Sequence, residues 1–286
     1  MKLSVFIITY NEEKNIADCI KSVAWAGEII IVDSYSTDKT PDIIKQYDNL
    51  KLFQAEFKGF GPAKNYALSK TSNDWVLNID ADERISKESA DEIKQALSNL
   101  PLDGYYFPRK SYIGNKWMKH SGQYPAYQLR LFRKSKGKFE DKLIAERVII
   151  NGKAGFLKEP IIHYNFENWV HYFKKFSFYM KIEAQSLMAK KFIWMYPPKV
   201  LFSTCCIFFR TSGSFLHRLL TARANLRDYK LIWLIPFEGP FHFFRYYVLQ
   251  LGFLDGVYGI GWAFVGMAYR IMKYIAYYEV KNKLGK

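Results

Sequence analysis

Apolar runs of strand length recur along the first part of this chain, each followed by a stretch long enough for one helix. Residues 3–10 form a continuous β-prone run, as expected of an inner parallel strand buried on both faces. Residues 28–32, Lys51–Gln54 and 75–79 repeat the pattern. Strands alternating with helices at this spacing specify a mostly parallel α/β sheet joined by right-handed crossovers. That constraint narrows the fold before any single residue is interpreted.

The intervening stretches read as helices. Asn11 is placed as an N-cap, with Glu12 and Glu13 in the first turn. Ile16, Cys19, Ile20 and Val23 then fall on one buried face. Thr40 is expected to cap a second helix, with Pro41 at its first position. Phe60, Gly61 and Pro62 lead into a helix holding Lys64 and Asn65. Ser86 caps a helix over 86–97 whose apolar face is Ile93, Ala96 and Leu97. Residues 105–107 and 127–132 return as strands, and 133–138 read as a basic turn. Residues 110–123 read as an irregular loop rich in aromatic, glycine and basic residues, of the kind that closes over a site or merely connects elements.

This layout puts polar clusters at strand ends: Asn11 and Glu12, then Asp33, then Asp80 and Asp82. In open α/β sheets ligands bind outside the carboxyl ends of the strands. An isolated Asp-x-Asp is most often a solvated turn. Several acidic strand ends in one small sheet, with Lys64 on an intervening helix, describe a nucleotide cleft instead. Hard oxygen ligands there suit Mg²⁺ or Mn²⁺, which bind through one or two carboxylates plus substrate phosphates. No Walker or dinucleotide glycine fingerprint is present, which argues against a phosphate-loop enzyme or a dehydrogenase.

Residues 1–84 resemble the N-terminal half of family 2 inverting glycosyltransferases of the GT-A fold. The resemblance rests on Thr9-Tyr10-Asn11-Glu12, on Val32-Asp33-Ser34 with Ser36-Thr37-Asp38, on the helix at 61–68, and on Asp80-Ala81-Asp82. Within that family the chain looks like the lipopolysaccharide core β-1,4-glucosyltransferases. That likeness continues through Gln128-Leu129-Arg130-Leu131-Phe132-Arg133, Ala145-Glu146-Arg147, Ile162-His163-Tyr164 and Gly252-Phe253-Leu254-Asp255-Gly256. It implies a UDP-sugar donor, with Tyr10, Glu12 and Asp33 on the nucleotide and Lys64 toward the nucleotide or its diphosphate. Asp80 and Asp82 would then serve the ribose and a divalent metal. A departing nucleotide diphosphate gains negative charge, which a divalent cation and a lysine stabilise.

An inverting transfer also needs a carboxylate to take the proton from the acceptor hydroxyl. Candidates lie between Glu140 and Glu146. The relatives commonly carry His-Glu where this chain has Ala145-Glu146, which favours Glu146 and keeps Asp141 as the alternative. His163 follows the apolar pair Ile161 and Ile162 and is either a packed residue or, as in many GT-A enzymes, a group reaching back to the metal.

Charge divides the chain. Residues 1–164 hold 25 lysines and arginines against 21 acidic residues, a net +4; residues 165–286 hold 17 against 6, a net +11. The second part is also aromatic. Trp169, Tyr172, Phe173, Phe176 and Met180 share one helical face, with Lys174, Lys175 and Lys181 opposite. Apolar stretches at 200–209, 231–237, 241–244 and 256–269 fall short of the about 18 uncharged residues that a spanning helix needs. Basic and aromatic residues of this kind suit the headgroup region of an anionic membrane. A nucleic-acid surface can be basic and aromatic too, but does not call for so much contiguous apolar sequence. Cys19, Cys205 and Cys206 have neither disulfide nor metal spacing, and the N-terminus does not read as a signal peptide.

The expectation is therefore a GT-A catalytic domain over 1–164 and a helical, membrane-associated region over 165–286, peripheral or monotopic on the cytoplasmic face of the inner membrane. Its reaction would move a hexose to a lipid-linked saccharide acceptor. The rivals are a polyprenyl-phosphate sugar transferase of the same fold and a non-catalytic nucleotide- or nucleic-acid-binding protein.

Overall fold

The computed structural model describes residues 2–99, 102–143, 146–173, 175–176 and 238–284. Strands β1 (Leu3–Thr9), β2 (Glu28–Asp33), β3 (Lys51–Gln54) and β4 (Trp75–Asp80) lie where the sequence places them. β1 pairs in parallel with β2 on one side and β4 on the other, and β2 pairs with β3. Farther along come β5 (Glu83–Ile85), β6 (Gly104–Phe107), β7 (Arg109–Ile113) and β8 (Lys116–Trp117). They are followed by β9 (Gln128–Arg133), β10 (Gly137–Phe139), β11 (Val148–Ile150), β12 (Ala154–Phe156) and β13 (Ile161–Phe166).

The main sheet has seven strands in the order β12-β6-β9-β4-β1-β2-β3. β9 runs antiparallel to both its neighbours, while the other pairings are parallel. Strand order reverses between β1 and β4, which opens a crevice at their carboxyl ends. Because β9 is antiparallel, its first residue arrives at that same edge.

Side-chain alternation divides the core. Leu3, Val5, Ile7, Leu77 and Ile79 face one side with Ile16 and Ile20 of α1 (Ile16–Val23) and Ile93 of α4 (Lys87–Asn99). Phe6, Ile30, Val32, Val76 and Phe132 face the other side with Ala67 and Leu68 of α3 (Phe60–Lys70). Each large aliphatic side chain so buried contributes about 1.5–3 kcal/mol. The predicted face of α1 is fully buried, and Ser86 accepts from the Ser89 amide at the start of α4.

Two predicted caps are corrected. α1 begins after Asn15, because the amides of Asn15 and Ile16 donate to the Glu12 carbonyl. Asn11 instead adopts a left-handed backbone (φ 53°), which asparagine tolerates. Thr40 is the first residue of α2 (Thr40–Ile44) rather than its cap; its amide donates to Asp38 Oδ1, and its hydroxyl accepts from the Glu12 amide.

The loop expected over 110–123 is also corrected. Its first part forms the β7–β8 hairpin, turning at Gly114 (φ 56°), in a four-stranded sheet of order β5-β13-β7-β8. Alternation of buried Ser111 and Ile113 with the less buried Tyr112 marks the strand. Likewise the basic turn gives way at Gly137 to β10, which pairs with β11.

Beyond β13, which takes in Asn165 and Phe166, the second part of the chain is mostly helical where described. Residues 169–173, 175 and 176 are helical, as are 238–244. A π-helical turn (Arg245–Leu249), a 3₁₀ turn (Gly252–Asp255) and α5 (Val257–Leu284) follow. Trp169, Tyr172 and Phe176 pack against Tyr258, Trp262 and Val265 of α5, and with them lie Ile113, Met118 and Phe166. Most of the aromatic face therefore looks inward, although Phe173 is exposed. Lys174, Met180, Lys181, Cys205, Cys206 and the apolar stretches 200–209 and 231–237 lie outside the described residues. Among those described, no helix is long and apolar enough to cross a membrane.

Candidate active site

The carboxyl ends of β1 and β2 are knitted into one floor. The Asn11 amide donates to Ser36 Oγ, and Asn11 Oδ1 accepts from the Thr37 amide. The Glu13 amide donates to Asp38, and the Lys39 amide donates to Glu13. Asp33 is fully buried, and its two oxygens accept from the Ser36 amide and hydroxyl. Asp33 thus builds the turn beneath the site. Tyr10 stands at the end of β1 with its ring 57% exposed.

β4 delivers Asp80 into a charged lattice. Arg130, from the antiparallel strand β9, donates to Asp80 Oδ2, Glu83 Oε1 and Asn78 Oδ1, each at 2.6 Å. Glu83 is fully buried, and its other oxygen accepts from the Asp80 amide. Lys64, only 4% exposed, reaches from α3 to Asp80 Oδ1 at 2.9 Å and to Glu146 Oε1 at 2.7 Å. Burial works against ionisation of Asp80, but the Arg130 and Lys64 charges hold its carboxyl well below the usual carboxylate range. Buried charges persist only when paired and hydrogen-bonded in this way.

Asp82 lies past the end of β4, where its carbonyl accepts from the Tyr164 amide of β13. His163 Nε2 is 3.5 Å from Asp82 Oδ1, and its Nδ1 lies 3.4 Å from Ser111 Oγ. Burial again opposes ionisation of Asp82, yet His163 and then Lys175 lower its pKa overall. Glu12 moves the other way: burial first, then the Asp82 charge, push it up, against the pull of Lys175. Lys175 was expected on the basic face opposite the aromatic residues; its ammonium lies 3.8 Å from Glu12 Oε1 and 3.6 Å from Asp82 Oδ2.

These donors suit a metal site that a substrate completes. Among the described residues, no group of three or more His, Cys, Asp or Glu side chains encloses a metal position. Both Asp80 oxygens are engaged by Lys64 and Arg130. Asp82 is held more loosely, with His163 3.5 Å from one oxygen and Lys175 3.6 Å from the other. Mg²⁺ and Mn²⁺ sites need no more than one or two protein carboxylates when phosphates supply the rest.

Of the residues singled out from the sequence, Glu12, Lys64, Asp80, Asp82, Glu146 and His163 come together. Asp141 is exposed and, among the described residues, joined to that cluster by no hydrogen bond or ion pair. Arg130, Glu83, Asn78 and Lys175 were missed. A signal existed for two of them: Arg130 and Asn78 interrupt apolar inner strands, and a polar group there demands a buried partner.

Known glycosyltransferases share sequence with this chain. The chain is 30% identical over 161 residues to the lipopolysaccharide core biosynthesis glycosyltransferase LpsC of Rhizobium meliloti, a match covering 54% of this chain and 60% of that protein's length. It is 34% identical over 206 residues to an uncharacterized glycosyltransferase of Rickettsia typhi, covering 67% of this chain and 70% of that one. The crystal structure of S. aureus TarS 1–349 in complex with UDP is 19% identical, covers 100% of this chain and 92% of that chain, and superposes with a TM-score of 0.46. The profile of the family described as glycosyl transferase family 2 matches residues 4–164. That span runs from β1 to the strand bearing His163, the stretch that builds both the sheet and its acidic edge, and the chain belongs to glycosyl transferase family 2.

Proposed function

We propose that this glycosyltransferase moves a hexose from a UDP-sugar to a hydroxyl of a lipid-anchored saccharide, such as a lipopolysaccharide core, with inversion and with Mg²⁺ or Mn²⁺. The observation that carries the reading is the buried Lys64 ammonium held between Asp80 and Glu146; in this reading Asp80 serves the nucleotide and Glu146 the acceptor. Similarity to LpsC, whose name assigns it to lipopolysaccharide core biosynthesis, supports the acceptor class.

The roles follow from chemistry. Tyr10, Glu12 and Asp33 receive the nucleoside end of the donor. Asp82 and His163, with Asp80 beside them, hold the divalent cation, which when bound supplies Lewis-acid stabilisation of the leaving diphosphate. Lys64 adds a fixed positive charge on the same side. Glu146 takes the acceptor proton, and the Lys64 contact fixes where its carboxylate points; Asp141 is the alternative base. Residues 1–164 form the catalytic unit. Residues 165–286 hold it against an anionic membrane on the cytoplasmic face. Leu249, Leu251, Phe253, Leu254 and Val257 support that placement, because they expose apolar side chains around one turn of the chain and Val257 is 79% exposed.

The test is a panel of nucleotide sugars incubated with the full chain. One UDP-hexose should be hydrolysed slowly to UDP, with EDTA abolishing the reaction and Mn²⁺ restoring it. If no member of the panel is turned over, the proposal falls.

A further inference from the structure

Lys175 stands apart from the other cations of the site because it comes from the helical segment beyond the family-matched span. Its ammonium is within 4 Å of both Glu12 and Asp82 and lies 5.8 Å from the centroid of the Phe166 ring. The segment that carries it is anchored one turn earlier by Tyr172. That ring packs on Phe166 at 4.7 Å and on Trp262 of α5 at 5.8 Å. A second tether, Lys14 to Glu167 at 2.9 Å, joins the same segment to the loop after β1.

Glu12 and Asp82 are neighbouring, mostly buried carboxylates, and a bare pair of like charges in such a place is costly. Lysine is suited to neutralise them: a compact charge on a flexible stem. A divalent ion bound to Asp82 sits about 2.1 Å from a carboxylate oxygen. An ammonium retained on the same carboxylate would face that ion across a short, poorly hydrated gap. The two cations therefore compete for one place.

We propose that Lys175 is a tethered counter-ion for Glu12 and Asp82 which competes with the divalent cation for Asp82 and yields to it on donor binding, so that cation and donor binding loosens the helical segment starting at Trp169 from the catalytic sheet. The inference rests on the metal–diphosphate reading of Asp82. Once released, the ammonium is free to pair with the incoming diphosphate. The segment then keeps its aromatic contacts and the Lys14–Glu167 pair but loses its hold on Glu12 and Asp82.

The test uses the full-length chain and its Lys175→Gln and Lys175→Arg variants, with MnCl₂ and UDP as probes and electron paramagnetic resonance to count free Mn²⁺. Without UDP, Lys175→Gln should bind Mn²⁺ about tenfold more tightly than the wild type, the factor that ~1.4 kcal/mol of relieved competition gives. Lys175→Arg should stay close to the wild type. Hydrogen exchange at residues 169–173 should rise in the wild type on adding Mn²⁺ with UDP, and should already be raised in Lys175→Gln without them. If Lys175→Gln binds Mn²⁺ no better while the wild type takes up Mn²⁺ with UDP, the counter-ion role is overturned and the metal reading stands. Unchanged exchange in the wild type overturns the coupling. A wild-type chain that takes no Mn²⁺ even with UDP removes the metal reading and the inference together.

Discussion

Arg130 shows why part of the site was hidden in the sequence. Its partners Asn78, Asp80 and Glu83 lie about 50 positions upstream, and only the pairing of β9 with β4 brings them together. Asp80 and Asp82 were legible because they end and follow an inner strand, and Lys64 because it falls on the helix before that strand; Lys175 was not, because an amphipathic pattern gives no hint that a lysine turns inward. Glu146 was the favoured base and Asp141 the alternative; of the two, Glu146 is the one ion-paired to Lys64 among the described residues. Glu146→Gln should keep donor affinity and lower transfer to a hydroxyl acceptor by about 10²–10⁴-fold, while Asp141→Asn should be near wild type in the same steady-state assay. If Asp141→Asn alone is inactive, the base moves to Asp141; if neither matters, a phosphate acceptor that needs no deprotonation is favoured. Glu28 sits away from the chemistry and pins three strands. Partial burial opposes its ionisation, but Lys51, Ser4 and Ser72 donate to it and bring its pKa down to about 2 from an ordinary 4.5. A carboxyl depressed on folding stabilises the fold fully above its unfolded pKa, and that contribution fades as pH falls from 4.5 through about 2. Glu28→Gln should therefore cost about 2 kcal/mol at pH 7, with the difference vanishing near the folded pKa, as read by urea unfolding across that range.

Among the elements, the inner strands were the most legible, since burial on both faces leaves a continuous apolar run. The β7–β8 hairpin was obscured by aromatic and basic residues that resemble a loop; there the Lys110 ammonium lies 4.5 Å from the centroid of the Trp117 ring. α3 shows a different limit. Gly59 (φ 115°) offers no capping side chain, so the first amides of the helix donate to the carbonyls of Leu143 and Lys142. A helix capped by a segment some 80 residues away cannot be read locally. That contact also holds the stretch leading to Glu146 against the helix bearing Lys64. A Cβ at Gly61 would meet the Glu140 carbonyl oxygen at 2.0 Å and the Lys142 nitrogen at 2.9 Å, both backbone atoms. Gly61→Ala should accordingly push that stretch away, destabilising the fold by about 1–3 kcal/mol and lowering kcat more than donor affinity. Thermal unfolding and calorimetry with UDP would check both; an unchanged kcat would show that Glu146 is not held through this contact.

At the scale of the whole molecule, the aromatic composition of the second part was plain in the sequence but its direction was not. Trp169, Tyr172 and Phe176 are spent on α5, and among the described residues a run of exposed apolar side chains lies at residues 248–257. The full chain should sediment with vesicles of anionic lipid at low salt and be partly released at high salt, since each well-placed basic residue adds about 1 kcal/mol of screened attraction. Leu254→Asp should weaken that binding without altering UDP affinity. Absence of sedimentation with either anionic or neutral vesicles would remove the membrane role. The antiparallel course of β9 has one more consequence, for the chain as it is made. β4 is completed well before its partner β9 exists, so one side of the future sheet centre stays open during synthesis. At roughly 5–20 residues per second the wait lasts about 2–10 s. Throughout it Asn78, Asp80 and Glu83 lack the guanidinium that will later join them. Asn78 and Asp80 interrupt the otherwise apolar β4 during that wait, and polar or charged groups on an unpaired strand make it a poorer template for another chain.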